Sequence, residues 1–417
     1  MGSRNSIAAA LGRKVVARLV VAAALGALVT FGLVGVGRTG GGHTFLGRET
    51  NDWGYIYAAT RAWLRGRNPY DLPTLIASAQ GDGVYWVDAP LGYSPSSAGL
   101  GLILAPGGLT YLRVVVLLMN LGALATICTL TLRMLPPAAG RERDVRAFVV
   151  AGMLGNPFTL HVIWMGQTAL IVAALTLAGW YFGKMKDRWL LGGLLFAFAT
   201  LKPQIALLPL LWLLAERRFK LVAAAGVVAG LFTMPAMLVS GGPLGLIRDW
   251  SASLGRYFAE WNSSPLTGEQ HVFGIQSTLA AVHIVTPSLA IIAVVGAVIL
   301  FRARARATQA DILGVLGGLT MLFLFAHDYD LAAIGPLFAT AWVHFREPPG
   351  RGLLFVGGSA LLGVPTALLR KIHAPLVVFH WRELIVLSIL CAVFWRVVRG
   401  ADERPRDADA AFRPAEP

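Results

Sequence analysis

Long apolar stretches separated by short clusters of arginine and lysine run through most of this sequence, and no other feature restricts its fold so tightly. A helix needs ~20 mostly apolar residues to cross a ~30 Å hydrocarbon core. The first stretch, about Val15–Val36, follows Arg4, Arg13 and Lys14. It is longer than the ~7–15 apolar residues of a signal peptide, and the nearby Gly35-Val36-Gly37 is a poor cleavage site. We read it as an uncleaved first span with a cytoplasmic N-terminus. Further stretches fall near Thr110–Arg133, Arg146–Trp164, Thr168–Phe182, Leu221–Val239, Ser288–Phe301, Ile312–Ala326, Leu331–Val343, Leu353–Leu369 and Glu383–Val398. A shorter pair, Trp189–Leu201 and Gln204–Ala215, is split by Lys202-Pro203. Thirteen residues of helix span only ~20 Å, so this pair reads as a re-entrant or tilted hairpin with its tip deep in the membrane.

Composition excludes the other classes. Only 14% of residues are charged and 56% are hydrophobic, whereas a soluble domain typically has about 25% charged residues. Disorder requires low hydrophobicity, and two cysteines cannot staple a secreted domain. The balance of 36 Lys+Arg against 22 Asp+Glu leaves a net charge of +14. In a soluble chain that would suggest nucleic acid. Here it resolves into loop clusters: Arg133 to Arg146, Lys184 to Arg188, Arg217 to Lys220, Arg302 to Arg306, Arg346 with Arg351, and Arg396 to Arg413. Alternating the spans places all of them in the cytoplasm, as the positive-inside rule requires, provided the short pair enters and leaves on one side. The expected architecture is therefore an all-α polytopic membrane protein of about ten full spans plus the hairpin. Residues 1–400 form one domain, with periplasmic loops at 37–108 and 241–287, and 401–417 form a disordered cytoplasmic tail. No nucleic-acid partner is expected.

The periplasmic side collects the reactive groups. Seven of the eight histidines fall there, all except His344, together with Asp52, Asp71, Asp82, Asp88, Asp249, Glu260, Glu269, Asp328 and Asp330. Asp52 opens an amphipathic segment, Asn51-Asp52-Trp53-Gly54-Tyr55-Ile56-Tyr57. It either caps the helix from Trp53 to Arg65, as Asp and Asn commonly do, or serves as a general base. A lone carboxylate suffices as base when the leaving group is already a phosphate. Lys202 is exceptional on energetic grounds, because a lysine near mid-bilayer costs ~2.5–3.5 kcal/mol and intramembrane charge is a functional signal by default. It either snorkels to an interface or partners a buried phosphate. His327-Asp328-Tyr329-Asp330 is either a tight turn with Asp–backbone bonds or the floor of a polar cavity. Gln167 opens a span after Gly166, as a cap or as a hydroxyl-recognising side chain.

No His-Glu-x-x-His, Cys-x-x-Cys or phosphate-cradling glycine loop occurs. His373 and His380 are too few for a metal site, and Cys128 and Cys391 read as core residues.

Asp52 with Tyr55 and Ala58-Ala59, then Asn68-Pro69-Tyr70-Asp71 and Tyr93-Ser94-Pro95, follow a familiar order. Gly166-Gln167, Leu201-Lys202-Pro203-Gln204 and His327-Asp328-Tyr329-Asp330-Leu331 continue it. Together, over roughly Asp52 to Pro336, the chain resembles glycosyltransferase family 87, polyprenol-phosphate-sugar-dependent enzymes of the GT-C fold that include mannosyltransferases. The resemblance implies a periplasm-facing site, a lipid-phosphate sugar donor, no metal and no other cofactor. It also implies that Asp52 is the catalytic aspartate and that His327 contacts donor or sugar. Two positions depart: the family's usual Tyr-Pro-Pro is Tyr93-Ser94-Pro95, and its usual Asn-Gln-Ser is Ile275-Gln276-Ser277.

The expectation is an inverting glycosyltransferase of the bacterial inner membrane, with both termini cytoplasmic. It would move a hexose or pentose, mannose favoured, from a polyprenyl-phosphate donor to a lipid or glycan acceptor. Asp52 is the base, and Lys202 with Arg61 holds the donor phosphate. Sugar or acceptor contacts fall to His327, Asp328, Asp330, Gln167, Tyr55 and Gln276. The rival is a transporter or lipid flippase, which also uses an intramembrane lysine and a broken hairpin. Polar groups crowded on one side, and no inverted repeat, weigh against it. A second rival is an inert envelope scaffold, with the two departures as its only hint.

Overall fold

The computed structural model describes residues 51–260, 264–269, 272–346, 349–362 and 366–400, together with Gly12, Val15 and Arg18. The first span and the tail lie outside the described residues. The periplasmic segment read from sequence begins with α1 (Asn51–Leu64), α2 (Leu72–Gly81) and α3 (Ser97–Leu104). Asp71 caps α2 by accepting from the Thr74 N–H at 3.1 Å, a short acid doing what an N-cap does.

The bundle follows: α4 (Leu109–Met134), α5 (Pro137–Arg141), α6 (Arg143–Gly155), α7 (Pro157–Met165), α8 (Ala169–Trp180), α9 (Trp189–Ala199), α10 (Pro203–Ala215) and α11 (Phe219–Val239). The amphipathic α12 (Pro243–Glu260) leads to β1 (Val272–Phe273), α13 (Ile275–Ala280), α14 (Ala290–Arg302) and α15 (Gln309–Phe323). Then come β2 (Ala326–His327), a 3-10 turn over Asp328–Ala333, α16 (Gly335–Phe345), α17 (Pro349–Leu361), α18 (Thr366–Lys371) and α19 (Trp381–Arg399).

Among the described residues three helical stretches are long and apolar enough to cross a membrane: Leu109–Met134, Phe219–Val239 and Leu376–Arg399. Five further apolar helices are shorter. Several expected spans are thus broken. The stretch read as Arg146–Trp164 divides at Asn156-Pro157, because proline lacks the N–H that α6 would need to continue. Asn156 then caps α7, accepting from the Phe158 N–H at 3.0 Å. Leu331–Val343 shortens to α16 because the chain first makes the 3-10 turn. Leu353–Leu369 becomes α17 and α18. The hairpin is two short helices, α9 and α10, joined at Thr200–Lys202, as its length and proline predict.

Small residues let these helices approach closely. A Cβ on Gly192 of α9 would stand 2.4 Å from the Gly183 Cα, so only glycine fits, as at other tight helix crossings in membranes. The basic clusters gather at one end. Arg346 reaches Glu142 at 2.6 Å and Asp144 at 2.9 Å, and Lys184 reaches Glu216 at 2.6 Å. Arg218 pairs with Asp187, and His344 lies on Asp311. Trp180 donates to Gln309, joining these groups across the bundle.

Candidate active site

At the other end, α1, the loop before α3, the α9–α10 tip and the turn after β2 meet around two carboxylates. Asp52 lies in the first turn of α1, whose Trp53, Ile56, Ala59 and Trp63 are buried and hold the helix in place. The chain is already helical at Asp52. Its carboxylate is engaged by the Tyr93 hydroxyl, which donates to Oδ2. Capping therefore does not account for this acid.

Lys202 stands at the hairpin tip and is 5% exposed. Its Nζ lies 2.8 Å from Asp330 Oδ1 and 4.6 Å from the centre of the Tyr329 ring. It does not snorkel; the ammonium is held inside by a carboxylate and a π face. Asp330 is fully buried, and its other oxygen accepts from the His327 N–H at 3.1 Å. One oxygen of Asp330 thus makes the Asp–backbone bond of a tight turn, and the other faces Lys202.

β1 pairs antiparallel with β2, Val272 opposite His327. This two-residue ladder ties the second loop to the turn. The His327 ring stacks on Tyr329 with centroids 5.0 Å apart, and its Nε2 lies 3.4 Å from the Tyr257 hydroxyl of α12. Gln167 follows Gly166, whose φ of 60° ends α7 in the left-handed region, where glycine is favoured. Its side chain hydrogen-bonds Asp52, while its Oε1 has no partner among the described residues.

Burial pushes the Asp52 carboxyl up to about 6, and the neighbouring Asp330 charge adds to the rise. The Lys202 charge and the bonds from Tyr93 and Gln167 hold it down. Burial also keeps the Tyr93 phenol protonated well beyond its ordinary range, so it stays a donor. The acid is consequently poised near neutrality, where a general base is most effective.

Asp328 turns the other way. Burial raises its carboxyl to about 7, opposed by Arg382. Arg382 itself lies over the rings of Phe158 and Trp381 and donates to the Leu362 carbonyl. Of the two acids in the turn, Asp330 pairs with Lys202, while Asp328 feels the Arg382 charge.

Three expected contributors lie elsewhere. Arg61 is nine residues along α1 from Asp52, ~13 Å of helix, and pairs with Asp82 at 3.3 Å. Tyr55 donates to Asp88 at 2.8 Å and braces the first loop. Gln276 donates to the Thr286 and Pro287 carbonyls, closing its own loop.

Tyr93, Tyr257 and Tyr329 were missed as site residues, because tyrosines crowd membrane interfaces for unrelated reasons. Ser94 also acquires a role. Its hydroxyl donates to the Thr200 carbonyl at 2.7 Å, and Ser96 meets the Thr200 hydroxyl at 2.8 Å. The loop that bears Tyr93 thereby grips the tip that bears Lys202.

Three bilayer-length apolar helices in a mostly helical chain, with a buried carboxylate–lysine pair at one end, fit a helical membrane protein. The sequence model of glycosyltransferase family 87 matches residues 91–326. That is more than half of the chain, which belongs to this family and is a glycosyltransferase. The matched stretch contains Tyr93, Gln167 and Lys202, and Asp52 and Asp330 are joined to it by the contacts above. No curated protein and no solved structure matches the chain.

Proposed function

We propose that the chain is an integral-membrane inverting glycosyltransferase whose base is Asp52 and whose donor is a polyprenyl-phosphate sugar, the active site facing the periplasm. The observation that carries this reading is the placement of a half-buried carboxylate, poised near 6, within the field of a buried lysine. An acceptor hydroxyl attacks the anomeric carbon from the face opposite the phosphate. The new C–O bond forms as the sugar–phosphate C–O bond breaks, the phosphate leaves with the electron pair, and the acceptor proton passes to Asp52. A single displacement inverts the anomeric centre.

An ammonium has three donors. One of those on Lys202 is taken by Asp330, and the other two serve the departing phosphate. Gln167, whose carbonyl oxygen has no partner among the described residues, accepts from a sugar or acceptor hydroxyl, and Asp328 and His327 line the same turn. The transferred unit is a hexose or pentose, with mannose the first candidate, and the acceptor is a lipid or glycan.

Purified protein incubated with labelled polyprenyl-phosphate mannose, glucose or arabinose and a membrane lipid extract tests this. Transfer from one donor is expected, and Asp52→Asn should abolish it. Near-normal transfer by Asp52→Asn would remove Asp52 as base, and no transfer from any donor would favour a transporter.

A further inference from the structure

The basic end of the bundle holds a cavity of about 340 Å³ walled by Phe345, Ala392, Trp395, Arg396 and Arg399 and floored by Gly400. We propose that this cavity binds the phosphate of an anionic glycerophospholipid from the adjoining leaflet, through Arg396 and Arg399.

The described acids at this end of the bundle are already engaged. Glu142 and Asp144 hold Arg346, Asp311 holds His344, Glu216 holds Lys184 and Asp187 holds Arg218. Among the described residues, Arg396 and Arg399 have no carboxylate partner and no acid lines the cavity. Basic side chains in a last helical turn often serve only to cap its carbonyls and meet its dipole. Here another residue takes that part: Arg306 donates to the Val398 carbonyl at 2.9 Å. The Arg399 guanidinium instead lies 3.6 Å over the Trp395 ring, which fixes its plane and leaves its N–H edge for an acceptor. A planar fork of this kind fits a phosphate with two parallel bonds.

The rest of the wall suits a lipid rather than a free ion. Trp395 is exposed, as are Leu384 and Cys391 on the same apolar helix, so a bilayer-facing surface leads into the cavity. Trp at this level is the usual headgroup-depth anchor. A zwitterionic headgroup would bring an ammonium for which the cavity has no carboxylate, whereas an anionic one brings none.

Full-length protein in detergent, titrated with phosphatidylglycerol or phosphatidylcholine and read by native mass spectrometry, tests the assignment. Phosphatidylglycerol should be retained preferentially. Arg396→Gln/Arg399→Gln should cut that preference about tenfold or more, while Arg302→Gln/Arg304→Gln, removing equal charge from the same end, should change it less than about twofold. Single Arg396→Gln, at an exposed position, gives a partial loss should the double variant fold poorly. Equal losses in both double variants, or none in either, would reduce the effect to diffuse attraction and overturn the site. Displacement of the lipid by millimolar inorganic phosphate would make it a small-anion site and overturn the lipid assignment. Sugar transfer does not enter any of these readouts, so they stand apart from the proposed activity.

Discussion

Lys184 and Lys202 each press an ammonium onto a carboxylate and an aromatic face, at opposite ends of the bundle. Lys184 lies 2.6 Å from Glu216 and 4.3 Å from the centre of the Trp180 ring, and Glu216 also accepts from Trp212. Lys202 lies 2.8 Å from Asp330 and 4.6 Å from the centre of the Tyr329 ring. The thirteen residues of α10 separate the two pairs, ~20 Å of helix. What differs is the surroundings. Around Lys184 one acid meets one base and an indole N–H. Around Lys202 a second, half-buried carboxylate, Asp52, is present, along with a Gln167 oxygen that has no partner among the described residues. A closed pair holds helices together. A pair with a surplus acid and an idle acceptor has capacity for a reacting molecule.

The sharpest way to break this contrast is to remove the surplus acid. Asp52→Asn should lower sugar transfer by roughly 10²–10⁴-fold, the usual contribution of a general base, with little change in melting temperature. Next come the lysines. Lys202→Met should cost ~3–5 kcal/mol, because it strands the fully buried Asp330 carboxylate, and Lys184→Met should cost less, because Glu216 is partly exposed and keeps its bond from Trp212. Adding Asp330→Asn to the first, or Glu216→Gln to the second, should recover stability. Transfer should return only in the Lys184 pair, and its return in the Lys202 pair would make the two ends equivalent.

A smaller effect separates the ends by pH. Asp52 must be ionised to accept a proton, and its carboxyl sits near 6. Transfer should therefore fall as pH drops through about 6. Tyr93→Phe removes a bond that holds the carboxyl down, so the acidic limb should move to higher pH. A limb that stays put would dissociate Tyr93 from Asp52. Smaller again is Ser94→Ala, which frees the Thr200 carbonyl at the hairpin tip. One neutral hydrogen bond is worth about 0.5–1.5 kcal/mol, so a loss of transfer of a few fold is expected, seen in kcat against donor. The least effect belongs to Arg61→Gln. Its partly exposed pair with Asp82 should contribute no more than ~1 kcal/mol, and donor KM should stay unchanged.

Single residues show how far the sequence could be read. Lys202 stood out because a charge inside an apolar stretch is costly wherever it folds, so its energetic oddity needed no coordinates. Asp52 stood out only through the resemblance, since an acid at the front of a helix has a plain capping role. Arg61 is an arginine of the first loop with a charge suited to a phosphate. It lies far along α1 from Asp52 and is claimed by Asp82, a partner 21 residues away that no local pattern announces. Gln276 shared a motif with the family yet spends its amide on its own loop. Tyr93 and Ser94 were visible as residues but not as partners of Asp52 and Thr200.

The chain's own pattern determined the helical class, the hairpin split at Lys202-Pro203 and the gathering of basic clusters at one end. These follow from hydrophobic length, proline geometry and charge count, which act locally and along the chain. Tertiary structure decided where helices break within an apolar stretch and which of the polar residues meet. It paired Asp330 with Lys202 and set Asp328 in the field of Arg382, though only Tyr329 lies between them. A buried charge must find a partner, but which one it finds depends on helices that are distant in sequence and only packing brings together.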